Sequence, residues 1–202
     1  MSLLSPPALT NLMRRRSVVA KNLGEPGPDA QSLDAILRTG LRVPDHGKLG
    51  PWRLQVLRRT AQSALGDVLA AAYAADNPDA HEDQIAFERA RPSRAPLLIV
   101  VSSRLRRDHK IPEIEQLLSC GAVCQNLLNA ATLLGYGTQW LTEWPAYDQR
   151  VKSALGVPAD DHIIGFVSIG TPVEAPNERP RPAFEDIVSF DETLPGGLPT
   201  SY

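Results

Sequence analysis

Three consecutive guanidinium groups and a hydroxyl, Arg14-Arg15-Arg16-Ser17, stand together near the N-terminus. A guanidinium fork matches phosphate oxygens bidentately and the serine adds a donor, so this group suits a phosphate. The alternative is a solvated basic end of a helix, where cations complement the helix dipole. A second basic pair, Arg179 and Arg181, lies between prolines in Glu178-Arg179-Pro180-Arg181-Pro182. Its rigid flanks lower the entropic cost of holding both side chains; the alternative is an exposed solubilising tail. The loop from Arg42 to Trp52 carries Arg42, Asp45, His46 and Lys48 among the breakers Pro44, Gly47 and Pro51. That density of hydrogen-bonding groups on constrained backbone reads as a ligand loop. His46 taken alone is more often structural than catalytic, and Asp45 can simply cap the turn. Trp140 and Trp144, close to Gly135-Tyr136-Gly137, either line a flat pocket or fill the core, the commoner fate of a tryptophan.

Other chemistries are excluded or weakened. Cys120 and Cys124 are the only cysteines and lie four apart in a helical pattern, where a rigid backbone disfavours a bridge. Two reduced thiols are expected. His46, His81, His109 and His162 are scattered without ligand pairs at metal-binding spacing, so no metal site is expected. No G-x-G-x-x-G follows a predicted strand, and neither a G-x-x-x-x-G-K-[ST] loop nor a G-x-S-x-G elbow occurs. No triad or pair of carboxylates stands out, so no side chain is assigned as a nucleophile or general base. With 21 Lys+Arg against 23 Asp+Glu, the net charge of −2 argues against a polyanion-binding role, and no aromatics interleave with the arginines as in a nucleic-acid module. The longest apolar run, Ala95 to Val101, is far short of the ~18 residues that suggest a membrane span, and no signal pattern opens the chain. A cytoplasmic protein is expected, its 202 residues forming one domain.

The elements that must position these groups follow from periodicity. Ser5-Pro6-Pro7 opens a first helix with Leu9, Leu12 and Met13, ending near Arg14 to Ser17. Asp29 caps a second, whose Leu33, Ile36, Leu37 and Leu41 form one apolar stripe. Arg53 to Leu57 alternates as a strand, and Thr60 opens a third helix. The polar stretch Asp76 to Arg94 reads as a mobile excursion with a short helix in it. Leu97 to Ser102 is short, β-branched and continuous, as a strand covered on both faces at the sheet centre would be. Pro112 starts a long helix that Gly135 stops. Strand Thr138 to Leu141, helix Ala146 to Leu155 and strand Ile163 to Gly170 follow. The proline-rich tail from Pro172 to Tyr202 is too long to be fraying and needs support, for which a partner subunit is the expected source. Strands separated by helices without an internal repeat indicate α+β or α/β layering.

Arg15-Arg16-Ser17, then Arg42-x-Pro-Asp-His46 with Gly50-Pro51-Trp52, then Gly121 to Gly137, Gly170-Thr171-Pro172 and Arg179-Pro-Arg181 resemble the FMN-dependent nitroreductase family, in particular its short-chain branch. The resemblance runs from about Leu9 to Val188; each motif is weak alone, and their order is what is specific. It implies an α+β fold with a central mixed sheet flanked by helices, built as an intertwined homodimer with FMN at the interface. By position, Arg15, Arg16 and Ser17 would hold the FMN phosphate and ribityl chain, joined by Arg179 and Arg181. Arg42 and His46 would reach the flavin from the other subunit. Trp140, Leu141 and Thr142 would run along the isoalloxazine edge through backbone groups. The segment Ala130, Ala131, Thr132, Leu133, Leu134 and Gly135 corresponds to a stretch linked to binding NAD(P)H.

The implied activity is a ping-pong oxidoreductase, in which NADH or NADPH gives hydride to flavin N5 and a nitroaromatic, quinone or similar small acceptor then takes two electrons. Alternatives are a flavin store or redox sensor without turnover, and another flavin chemistry on the same fold. Two departures bear on the flavin potential. Val19 stands where many larger relatives carry a cation toward the pyrimidine edge, and Lys48 and Gly50 stand where they carry Asn and Gln.

Overall fold

The computed structural model describes residues 7–191; Ser5 and Pro6 of the expected first cap, and the tail beyond Asp191, lie outside the described residues. The described residues form five strands: β1 (Leu23–Gly24), β2 (Trp52–Leu57), β3 (Leu97–Ser103), β4 (Gly137–Leu141) and β5 (Ile163–Pro172). The helices are α1 (Pro7–Met13), α2 (Ala30–Gly40), α3 (Arg59–Asp76), α4 (Glu82–Ala90), α5 (Glu113–Leu133), α6 (Gln149–Ala154) and α7 (Phe184–Ile187).

The apolar run from Leu97 becomes β3, buried along its whole length between β2 and β5. Its alternation splits the core. Leu97, Ile99 and Val101 join Leu33 and Ile36 of α2 and Val123 and Leu127 of α5 on one face. Leu98 and Val100 join Leu65 and Leu69 of α3 and Val151 of α6 on the other. At ~1.5–3 kcal/mol for each fully buried aliphatic side chain, these two layers hold the sheet. Helices α2 and α5 pack closely because Gly40 has no Cβ; one built there would lie 2.5 Å from Leu127 Cδ2.

The expectation of a mixed sheet is corrected: every pairing among the described residues is antiparallel. The reason lies in strand order. β3 and β4 both run antiparallel to β5 and therefore parallel to each other, yet β5 stands between them. The expected helix from Ala146 to Leu155 is also corrected. Asp148 accepts from the N–H groups of Arg150 (2.7 Å) and Val151 (3.2 Å), which starts α6 afresh after a short 3-10 turn at Trp144–Ala146. The short helix expected between Asp76 and Arg94 is present as α4, but the stretch is no loose excursion: α4 lies so close on α3 that a Cβ at Gly66 would meet Arg89 O at 2.2 Å.

Asp29 does cap α2, accepting from Ser32 N–H at 2.7 Å. Gly135, at φ +88°, turns the chain out of α5 into β4, a conformation that side chains with a Cβ resist. The tail leaves β5 without regular structure until α7. Its Phe184, Ile187 and Phe190 are 61%, 70% and 86% exposed, so nothing described in the same chain covers them.

Candidate functional site

The segment after α1 is tethered to the start of β4. Val18 N–H donates to Thr138 O (2.9 Å) and Ala20 N–H to Gln139 Oε1 (2.6 Å). The approach is tight: a Cβ at Gly137 would meet Leu23, Pro172 and Val18 side chains at 2.7, 2.8 and 3.2 Å. This tether fixes Arg15, Arg16 and Ser17 just upstream. Arg15 is partly buried and its Nη1 has no hydrogen-bond partner, nor has the buried Nε of Arg16. Arg16 Nη1 donates to Arg15 O (2.8 Å), and Nη2 pairs with Glu178. Burial, then the charges of Arg181 and Arg16, pull Arg15 below the ordinary arginine pKa. Two basic clusters far apart in sequence thus meet in space. Among the described residues Arg181 donates only to neighbouring carbonyls, Arg179 O at 3.2 Å and Pro180 O at 3.5 Å. Ser17 and Arg179 are exposed at the rim. Like charges gathered with orphaned buried N–H groups are costly unless an anion is to be received.

The same segment runs on into an apolar cleft. Ala20, Leu141 and Thr142 line it with Leu65, Leu98 and Phe166, and so do the charged residues Arg91, Arg94 and Glu143. Glu143 has φ +51° and ψ −170°, a region nearly closed to residues with a Cβ. Its carboxylate pairs with Arg91. Arg91 in turn donates to both oxygens of buried Glu88 (2.8 and 2.7 Å), which also accepts from Trp144 Nε1 at 2.8 Å. Burial raises the Glu88 pKa, but the hydrogen bonds from Arg91 and Trp144 with the charges of Arg91 and Arg94 outweigh it and hold Glu88 below the usual carboxylate value. The strained turn is clamped by these contacts. Trp140 packs its indole against the core and donates from Nε1 to Ile164 O at 3.0 Å, so its side chain does not line the cleft.

The Arg42 to Trp52 loop lies elsewhere. Asp45 caps its turn, accepting from Leu49 and Gly50 N–H, both at 3.0 Å. His46 Nδ1 is 2.7 Å from Glu115 Oε2, and Ser119 Oγ donates to Pro44 O at 2.6 Å, both on the first turns of α5. The arginine cluster sits beside Thr138, past the far end of that helix. Glu115 and Leu133 are about 27 Å apart along a helix rising ~1.5 Å per residue. His46 and Arg16 of one chain therefore do not meet; Arg42, whose carbonyl accepts from Asn126 Nδ2 (3.0 Å), lies between. In the segment 130–135, Ala130 and Ala131 are buried in the core, Thr132 is half-buried, and Leu133 to Gly135 are exposed.

Cys120 and Cys124 are free and buried, their thiols pushed up to about 12 by burial. No cluster of three potential metal ligands occurs among the described residues, and none of their helices is long and apolar enough to cross a membrane. Sequence reasoning missed Glu143, Arg91, Glu115 and Glu178. Only Glu178 carried a signal, as the acid directly before Arg179 in the basic motif.

Residues 12–171 match the Nitroreductase family. A protein of Escherichia coli K12 bearing the name NAD(P)H nitroreductase YdjA is 37% identical over 171 residues, covering 82% of this chain and 88% of its own length. A nitroreductase-like protein of Bacillus cereus superposes with a TM-score of 0.78 at 19% identity, over 95% of this chain and 100% of that one. A nitroreductase of Desulfovibrio desulfuricans, solved in complex with FMN, gives a TM-score of 0.69 at 25% identity, over 93% of this chain and 98% of that one.

Proposed function

This chain belongs to the nitroreductase family and is an NAD(P)H-dependent oxidoreductase of that type, and from that premise we propose that it binds FMN between two copies of itself and reduces a nitroaromatic, quinone or similar small acceptor. The observation that carries the reading is the convergence of Arg15, Arg16 and Arg181, with two buried guanidinium nitrogens unpartnered among the described residues, on a segment whose Ala20, four residues after Arg16, lines an apolar cleft. A dianion joined to a flat ring suits a cationic group set beside an apolar surface. Arg15, Arg16 and Arg181 would take the phosphate, with Ser17 and Arg179 at the rim. Leu141, Thr142 and the turn at Glu143 would border the ring. When bound, FMN supplies the two-electron chemistry, receiving hydride from NAD(P)H and passing it to the acceptor.

The chain's own part is placement and exclusion of water. The tether of Val18 to Thr138 fixes the distance between the phosphate pocket and the cleft. The Glu88–Arg91–Glu143 contacts hold the turn beside the cleft rigid, so its backbone donors and acceptors stay where a ring edge would meet them. No proton-transferring side chain is needed, and none is assigned.

Two further features support a homodimer. His46 and Arg16 lie too far apart to serve one ligand within a chain, and come together only if the loop of one copy reaches the cleft of the other. The exposed apolar residues of the tail and the outer edge of β2, unpaired among the described residues, are both surfaces that a second copy would cover. Donor and acceptor would then use the same opening in turn, the ping-pong order, with the exposed turn Leu133 to Gly135 as the part of its segment able to touch the nicotinamide donor. The test is the visible spectrum of the purified protein followed by NADPH without oxygen. A flavin band that bleaches within seconds is expected; a colourless protein that ignores added FMN would refute the proposal.

A further inference from the structure

A cleft of about 620 Å³ opens where the end of β3, the start of β2 and the loop between α6 and β5 meet. It is remote from the arginine cluster described above. That cluster lies beside Thr138, which pairs with Ile169 of β5, whereas this cleft lies beside Ser102, which pairs with Ile163. Six residues of strand at ~3.3 Å each separate the two by about 20 Å.

Its walls carry Arg53, Arg104 and Arg106, and Asp161 as the one carboxylate. Asp161 is already satisfied: it accepts from Ser103 Oγ and Leu105 N–H, both at 2.9 Å, and faces Arg107 at 3.9 Å. Arg53 Nη1 donates to Gly156 O (2.7 Å) and has no carboxylate partner among the described residues. The Arg104 and Arg106 side chains have neither a hydrogen bond nor an ion pair there, although their backbones are pinned, Arg104 N–H to Pro51 O (2.8 Å) and Arg106 N–H to Gln116 Oε1 (2.9 Å). Ser102, 1% exposed and in the wall, has a hydroxyl without a partner. A rigid frame thus presents three cations and an orphaned hydroxyl to a concave space of ligand size.

The geometry points to a second binding site, for a compact small-molecule polyanion of the phosphate or polycarboxylate class. Guanidinium groups on a fixed backbone match either oxyanion, and the volume exceeds what a single inorganic ion fills. Concavity and the net charge of −2 disfavour a nucleic acid. The site shares Leu49, Gly50 and Arg53 with the loop and strand edge that the proposed dimer would use, which is why it is tested on the FMN-saturated chain.

Calorimetric titration of the FMN-saturated full chain with inorganic pyrophosphate, and separately with citrate, at constant ionic strength tests it. One saturable event per chain is expected with at least one of the two, and the tighter of them identifies the oxyanion preferred. In Arg104→Gln/Arg106→Gln, whose altered side chains are exposed and outside the core, Kd should rise at least tenfold. Arg53→Gln, made alone, should give a several-fold rise as a separate reading. Arg15→Gln/Arg16→Gln, titrated without FMN, should bind as wild type does. Absence of saturable binding to wild type, or binding lost in the Arg15/Arg16 pair and retained in the Arg104/Arg106 pair, would overturn the site.

Discussion

Replacing Arg181 with Gln separates a phosphate ligand from a surface cation, because the two roles predict opposite signs for stability and affinity. Among the described residues of the chain without ligand, Arg181 donates only to backbone oxygens of its own segment, and its charge disfavours the neighbouring charge of Arg15. Removing it relieves that repulsion. The pair is partly solvated, so the gain is limited to the ~0.2–1 kcal/mol typical of screened surface charges. Stability should stay level or rise by that amount. Toward FMN the sign reverses. One charge-assisted hydrogen bond contributes about 1.5–3 kcal/mol, and a factor of ten corresponds to ~1.4 kcal/mol, so the Kd for FMN should rise about 10- to 150-fold. The assay is a fluorescence titration of FMN onto protein stripped of flavin, paired with urea unfolding of the same preparation. Arg181→Lys keeps the charge and loses the fork, and should fall between. An unchanged Kd, or a loss of more than about 1 kcal/mol in the stripped protein, would refute the reasoning.

Four other outcomes follow from named contacts. Glu178 occupies Arg16 Nη2 and competes with an incoming anion, so Glu178→Gln should tighten FMN about 1.5- to 5-fold, the equivalent of an exposed pair of ~0.2–1 kcal/mol, by the same titration. A Cβ at Gly165 would lie 2.0 Å from Trp140 Nε1, so Gly165→Ala should expel the indole, lose its bond to Ile164 O and cost ~2–6 kcal/mol in urea unfolding; the double change with Trp140→Phe should be less than additive by ~1 kcal/mol or more. The thiols of Cys120 and Cys124, raised to about 12, ionise near ~8.5 once unfolded, so their contribution is intact below ~8.5 and falls as pH rises toward the folded value, by ~1.4 kcal/mol per unit for each. Cys124→Ala should therefore lose less stability than wild type between about pH 8 and 10, measured by urea midpoint. Phe184→Ser/Phe190→Ser should weaken self-association by ~100-fold or more on light scattering, since each buried aromatic contributes ~1.5–3 kcal/mol.

What the sequence determined by itself were features set within a few residues or by periodicity. The Asp29 cap needs only its own carboxylate three residues from an N–H. The unbroken apolar run of β3 can be covered only on both faces, and so it took the sheet centre. The family, too, was legible, because its motifs keep their order along the chain from Arg15 to Arg181. Tertiary structure decided the rest. Spacing could not reveal that Arg181 approaches Arg15, that Glu178 reaches Arg16, or that Glu115 holds His46, since each pairs residues separated by long stretches of chain. Nor could it show that β5 stands between β3 and β4, which makes the sheet antiparallel, since strand order depends on where each crossover helix packs. The positive φ of Glu143 had no local signal, because a residue other than glycine is held there only by a distant partner, Arg91. Local chemistry wrote the elements and the cations; the convergence that makes them a site arose only when the two core layers brought both ends of the chain to one edge of the sheet.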